Sequence, residues 1–228
     1  MSLAVRRIAE ERMDDPALDP ATYAAVLADL ARVNRWTLAA RPTIAFLDTL
    51  AGRGARRLSI LDVGFGQGDM LRRIARWGRR RGVELALTGV DLNPRSAAVA
   101  AAATPPDMAI DWVTGDYRDL PPADVILSSL VAHHMAEAEL IAFLRHMERH
   151  ARAGWLVNDL HRHAFAYHGW PLLAAAMRWH SIVRHDGRLS IARSFRPADW
   201  RRLLAEAGIA GAGVTRHFPF RLCVARIR

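Results

Sequence analysis

An α/β fold, a parallel sheet with helices on both faces, is predicted by three observations. Short apolar runs alternate with helix-like stretches from Leu58 to Asn158, the pattern of strands joined by crossover helices. The first apolar run breaks into a turn holding Gly64, Gly66 and Gly68 and then into a helix. Acidic or polar residues follow the second, third and fourth runs, so with the glycine turn four strand ends converge on one edge, where open parallel sheets bind ligands.

The elements follow in order. Met13-Asp-Asp-Pro16 makes a turn ahead of a helix over Pro20–Asn34, whose apolar residues recur at helical spacing, and Arg41-Pro42 starts a further helix, Thr43–Leu50. Residues 1–52 thus read as an N-terminal helical cap or lid. The core, residues 58–160, holds strands at Leu58–Val63, Leu85–Val90, Ala109–Val113, Asp124–Ser128 and Trp155–Asn158. Helices are expected at Asp69–Arg81, Pro94–Ala103 and Glu137–Ala151. The regular pattern then breaks: residues 161–195 are aromatic and histidine-rich, with a helix over Gly169–Arg184, and read as an insertion after strand five. Residues 196–228 close the chain with a helix ending at Gly208 and two strands, Val214–Phe218 and Arg221–Ile227.

The length of 228 residues suits one domain with a sizeable core. No uninterrupted apolar run reaches the length of a membrane span, and Met1–Arg7 lacks the apolar core of a signal peptide. A cytoplasmic protein is expected. The single cysteine, Cys223, sits in an apolar run, has no partner for an internal disulfide and reads as a core residue. The net charge of +9 is carried by arginine alone, on helices such as Arg79-Arg80-Arg81 where a solvated face is the ordinary reading. No aromatic-interleaved basic module accompanies it, so a nucleic-acid partner is not expected.

The glycine turn lets backbone approach a ligand at a helix N-terminus. A dinucleotide fingerprint would need glycine or alanine where Asp69 stands. Asp62, two residues before the first glycine, suits a cationic group. A ligand bearing an ammonium group fits better than one rich in phosphate. Asp91 ends the second strand, where a carboxylate accepts hydrogen bonds from ribose hydroxyls; before Asn93-Pro94 it also suits a helix cap.

Asp62-Val-Gly-Phe-Gly-Gln-Gly68, Asp91, Gly115-Asp116 and the Ala123–Ser129 segment, in this order and spacing, resemble the ordered motifs of class I S-adenosylmethionine-dependent methyltransferases, over roughly residues 58–157. The resemblance implies a Rossmann-like, seven-stranded, mostly parallel sheet whose last strand is antiparallel. It implies S-adenosylmethionine as cofactor and S-adenosylhomocysteine as product. It places Gly64, Gly66 and Gly68 under the methionine part, Asp91 at the ribose and Asp116 at the adenine with Tyr117 as its neighbour, and Asp62, Leu92 and Ser128 are counted with them as cofactor-binding. Met13–Pro16, Asp29–Trp36 and Asn158–Arg162 also look like bacterial small-molecule methyltransferases of the ubiquinone and menaquinone type, some associated with polyketide pathways.

The acceptor must then meet the methyl group near the ends of strands four and five. Candidates there are Ser128, Ser129, His133, His134, Asn158, Asp159, His161, Arg162 and His163. A phenol with a pKa of about 10 needs a base, and a histidine with a pKa of about 6.5 can take its proton. His133 and His134 directly follow strand four and are the expected catalytic residues, against the alternative of a helix cap and a packed loop. Asp159, Arg162, Tyr167, Trp170 and Trp36 are expected to line the acceptor pocket, with Tyr23 above it; core packing is the competing account for the aromatics. His161-x-His163 with Asp159 invites a metal reading, but a segment with alternate polar residues gives the same string, and no metal is expected. The expected reaction is methylation of a hydroxyl on a small aromatic, phenolic or polyketide-like molecule. Alternatives are carbon methylation of a quinol-type ring, a non-catalytic cofactor-binding module and, on charge alone, an RNA methyltransferase. The oligomeric state stays open.

Overall fold

The computed structural model describes residues 3–228. Its strands are β1 (Arg57–Val63), β2 (Glu84–Asp91), β3 (Asp111–Thr114), β4 (Ala123–Ser129), β5 (Ala151–Leu160), β6 (Gly213–His217) and β7 (Arg221–Ile227). They form one seven-stranded sheet in the order β3-β2-β1-β4-β5-β7-β6. The first five pair in parallel, and β7 runs antiparallel between β5 and β6. This is the Rossmann-like sheet with an antiparallel last strand that the motifs implied.

The helices are α1 (Pro20–Trp36), α2 (Arg41–Gly52), α3 (Asp69–Arg81), α4 (Pro94–Ala102), α5 (Glu137–His150), α6 (Ala164–Ala176), α7 (Ser181–Arg193) and α8 (Pro197–Ala207). Alternation along the strands divides the core into two layers, because successive side chains point to opposite faces. Leu61, Val63, Ile126, Trp155 and Val157 pack with Phe143 of α5 and Trp200 of α8. Leu58, Ile60, Val125, Leu127 and Leu156 pack with Leu47 of α2 and Trp77 of α3. Cys223 is buried in this second layer, as expected.

The insertion differs from the single helix expected over Gly169–Arg184. It is a pair, α6 and α7, broken at Met177–His180. Tertiary contacts decide the break: Arg178 takes a left-handed conformation with φ +54°, the His180 N–H donates to the Asp29 carboxylate of α1 at 2.7 Å, and Trp179 buries against Val26 and Val33 of α1. No local periodicity announces contacts made by residues 151 positions away in the chain.

Among the described residues, the part of the N-terminal piece before α1 is not helical apart from one turn at Arg12–Asp14. It is an extended segment tied across the carboxyl end of the sheet. Arg6 donates from Nε to the Arg193 carbonyl at 2.6 Å and from Nη2 to the His133 and Met135 carbonyls, both at 3.2 Å, and it lies over the Phe195 ring. The Arg12 and Met13 N–H groups donate to the Asp186 carboxylate of α7 at 3.1 and 3.0 Å.

Candidate active site

The strand registers bring the expected motifs to one edge. Val63 lies beside Val90 and Ser128, Asp91 beside Thr114, and Ser129 beside Asn158. The strand order reverses between β1 and β4, which is where such sheets open a crevice for a ligand.

In the glycine turn, Gly64, Gly66 and Gly68 have φ of +77°, +54° and +76°, values that disfavour any residue with a Cβ. Their surroundings differ. A Cβ at Gly64 would lie 2.3 Å from Val131, and one at Gly68 2.2 Å from Trp112, so these two are also required by packing. A Cβ at Gly66 would meet only Leu27 of α1, at 3.7 Å. Close approach of backbone to a ligand is therefore argued for Gly66, and Val131 places the loop after β4 against the same turn.

Asp62 is 2 % exposed, and its Oδ1 has no hydrogen-bond partner. Burial, with added repulsion from Asp69 and Asp91, pushes its carboxyl up to about 8. A buried carboxyl with an unsatisfied oxygen is costly unless a donor or cation completes it. Asp91 accepts from the Gly66 N–H at 2.9 Å and from the Asn93 N–H at 2.9 Å, locking the glycine turn to the end of β2. Burial raises its pKa as well. Leu92 beside it is 72 % exposed. Asp62, Gly66 and Asp91 could hold a cofactor that carries a cationic group.

Asp116 caps the turn after β3 and pairs with Arg118, whose hydrogen bond holds the carboxyl below its ordinary range. The Tyr117 ring packs edge-on against Phe143 and His146 of α5, with centroids 4.9 and 4.8 Å away. The Ser128 hydroxyl is buried and donates to the Val63 carbonyl at 3.2 Å.

The histidines after β4 differ in environment. His133 is 3 % exposed; its backbone N–H donates to Asp159 Oδ2 at 2.8 Å, and its Nδ1 lies 2.8 Å from Asp159 Oδ1. Burial pushes the Asp159 carboxyl up, but the His133 charge and hydrogen bonds, with the Leu160 N–H, outweigh it and leave it below its ordinary value. His134 is partly exposed, its Nδ1 3.4 Å from Asp14 Oδ2. Glu11 faces both rings and accepts from the Ser190 hydroxyl at 2.7 Å; burial raises its pKa.

The expected pocket residues do not all converge. Asp159 joins His133, whereas Arg162 turns away to pair with Asp199 of α8 at 2.8 Å. Tyr167 is buried beside Ile191 and Ala192, and Trp170 stacks on Trp179. Trp36 is 62 % exposed at the end of α1, and Tyr23 bonds the Ser96 hydroxyl at 2.9 Å beside α4. A cavity of about 750 Å³ lies between the N-terminal segment and α6–α7, lined by Arg7, Tyr167, Arg184, Arg188 and Ala192 among others. No residue of the glycine turn lines it. Sequence reasoning missed Glu11 and Asp186: Glu10-Glu11-Arg12 reads as a solvated charge run, and only the extended path of the segment brings Glu11 inside.

Residues 60–154 match a family described as a methyltransferase domain. No curated protein sequence matches the chain. Among solved structures, magnesium protoporphyrin IX methyltransferase from Synechocystis PCC 6803, with bound S-adenosylhomocysteine, is similar at 18% identity and a TM-score of 0.57, over 95% of this chain and 91% of that one. A plantazolicin methyltransferase is similar at 14% identity and a TM-score of 0.61, over 83% and 70%. Human N-acetylserotonin methyltransferase is similar at 16% identity and a TM-score of 0.61, over 92% of this chain but 56% of that one. At these identities the structural likeness is one of fold, and the matched family gives that fold its chemistry. Residues 60–154 match a methyltransferase domain, and the chain has the fold of S-adenosylmethionine-dependent methyltransferases of known structure.

Proposed function

We propose that this enzyme transfers the methyl group of S-adenosylmethionine to a hydroxyl of a small aromatic, phenolic or polyketide-like molecule, releasing S-adenosylhomocysteine. The observation that carries the reading is the buried pair of Asp159, near the end of β5, with His133, on the loop after β4 whose Val131 packs against the glycine turn. The bound cofactor supplies an electrophilic methyl on a sulfonium. Asp62 meets the cationic end of the cofactor, and Asp91 fixes both the glycine turn and the nucleoside. Leu92 lies beside Asp91 at the nucleoside, Asp116 and Tyr117 border the adenine, and Ser128 stands at the strand edge.

Asp159 pins the loop that holds both histidines. His133 is sealed beneath Glu11, and His134, partly open to solvent, is the imidazole an acceptor reaches; it takes the hydroxyl proton as the oxygen is methylated. Placing the oxygen in line with the methyl supplies much of the rate, and the base adds to it for an acceptor that ionises poorly at neutral pH. By name, the structural neighbours act on magnesium protoporphyrin IX, plantazolicin and N-acetylserotonin, which supports a small-molecule acceptor and does not choose among them.

Methyl-labelled S-adenosylmethionine, offered with a cell extract split into small-molecule, RNA and protein fractions, tests the reading. Label is expected in the small-molecule fraction, on oxygen by mass spectrometry, and His134→Gln should slow its appearance by about 100-fold with cofactor affinity unchanged. Label on a ring carbon would favour the quinol-type alternative; no label with intact cofactor binding would favour a binding module.

A further inference from the structure

The N-terminal segment and the loop after β4 bring three metal-ligand side chains to one point. His133 Nε2 lies 3.7 Å from Glu11 Oε1, and His134 Nε2 lies 3.8 Å from Glu11 Oε2. One ligand atom from each of Glu11, His133 and His134 lies within 4.8 Å of the others. The two separations are too long for hydrogen bonds, so Glu11 faces both rings without bonding either.

The opposite ring nitrogens are also faced by carboxylates. His133 Nδ1 is 2.8 Å from Asp159 Oδ1, and His134 Nδ1 is 3.4 Å from Asp14 Oδ2. A carboxylate at Nδ1 fixes the proton there and leaves the Nε2 lone pair free, the arrangement found behind most metal-bound histidines. Both lone pairs then turn to the same carboxylate, whose Oε1 is held by the Ser190 hydroxyl at 2.7 Å.

We propose that Glu11, His133 and His134 bind one divalent transition-metal ion of the zinc type. Bonds of about 2.0–2.2 Å to imidazole nitrogen and carboxylate oxygen set tetrahedral ligand atoms roughly 3.3 Å apart. The ligand atoms, now within 4.8 Å of one another, must close by up to about 1.5 Å to reach that spacing, a movement within reach of side-chain rotation. Two imidazoles with one carboxylate suit zinc or cobalt; magnesium and calcium prefer all-oxygen sites. Arg193 Nη1, 3.5 Å from Glu11 Oε1, opposes the ion in part, and Glu11, Asp14 and Asp159 outnumber it.

The ligands come from position 11 and positions 133–134, so the ion clasps the N-terminal segment onto the loop after β4. It occupies the Nε2 lone pairs of both histidines. With Nδ1 protonated and Nε2 on the ion, His134 has no lone pair left for a substrate proton, so proton transfer by His134 belongs to the metal-free protein; the test of the ion measures no turnover and is read independently of it.

Untagged full-length protein, stripped with a chelator, is titrated with Co²⁺ while its visible absorption is followed. The bands of nitrogen- and oxygen-bound cobalt should saturate at one ion per chain, and the melting temperature should rise because the ion binds only the folded state. Glu11→Gln and His134→Gln should each weaken Co²⁺ binding at least about tenfold, and Asp14→Asn about tenfold through the loss of the carboxylate behind His134. Glu11→Gln keeps an acceptor for Ser190, and position 134 is partly exposed, so both variants should retain the wild-type circular dichroism. Folded protein that leaves the cobalt spectrum as it is in buffer overturns the proposal. So do bands that persist undiminished in both Glu11→Gln and His134→Gln.

Discussion

At the scale of single residues, Asp62 concentrates the tension between stability and binding. Its carboxyl is pushed from 3.8 to about 8 by burial first, then by Asp69 and Asp91. Between those two values the folded, ligand-free protein holds a proton that the unfolded chain has released, so stability falls as pH rises through this window. Holding that proton costs the fold about 1.4 kcal/mol for every pH unit climbed inside it. Asp62→Asn is therefore expected to raise the melting temperature of the ligand-free protein, with the gain growing from pH 6 to pH 8.5, and to weaken the cofactor by about tenfold or more, since a cation strongly favours the ionised carboxylate. Thermal melts across pH and titration calorimetry check both; a variant that melts lower at pH 8.5, or that binds as tightly as wild type, removes Asp62 from this role. The position was legible in the sequence because a carboxylate two residues before a glycine turn has few structural reasons to be there. Glu11 was not, since nothing local separates a buried glutamate from its exposed neighbour Glu10.

At the scale of elements, the two parts of the N-terminal piece behave differently. α1 is built into the core: Val26 and Val33 bury with Trp179 and Val183, and Tyr23 closes on Ser96. Removing residues 1–40 would therefore take core with it. The segment before α1 is held by backbone and side-chain contacts at Arg6, Glu11, Arg12 and Met13, a set that opens more readily than packed apolar surface. Deleting residues 1–16 should leave the chain folded and the cofactor bound within about threefold of wild type, while amide exchange rises in the loop after β4 and in α7. Hydrogen exchange read by mass spectrometry decides it; loss of cofactor binding would mean the segment belongs to the cofactor site. Helices and strands of the central domain were legible to within a few residues because period and caps agree there: Asp69–Arg81 runs between two left-handed glycines, Gly68 and Gly82. The α6–α7 break and the extended segment depend on Asp29, Asp186 and Arg193, which are distant in sequence.

At the scale of the whole molecule, a chain of net charge +9 gathers three aspartates, Asp62, Asp69 and Asp91, about its glycine turn. Much of the basic surface is neutralised locally, as in Arg202 with Glu137 and Glu206 and Arg152 with Asp124; such exposed pairs contribute little to stability. Asp62, Asp69 and Asp91 instead crowd one turn, where Asp69 and Asp91 both act on the buried Asp62 carboxyl, so a pyrophosphate there would meet carboxyl groups rather than an open helix N-terminus. Ligand-induced melting shifts should follow this local sign and ignore the net charge. S-adenosylhomocysteine at 100 times its Kd should stabilise the fold by about 2.7 kcal/mol, or roughly 5–10 °C for a chain of this size. Adenosine, which lacks the amino-acid end, should shift the melt less at the same concentration, and NAD should not shift it. Equal shifts for adenosine and S-adenosylhomocysteine would show that the cationic end contributes nothing, and a shift with NAD would show that the carboxylates leave room for phosphate, in which case Asp69 in place of the third glycine carries no selectivity.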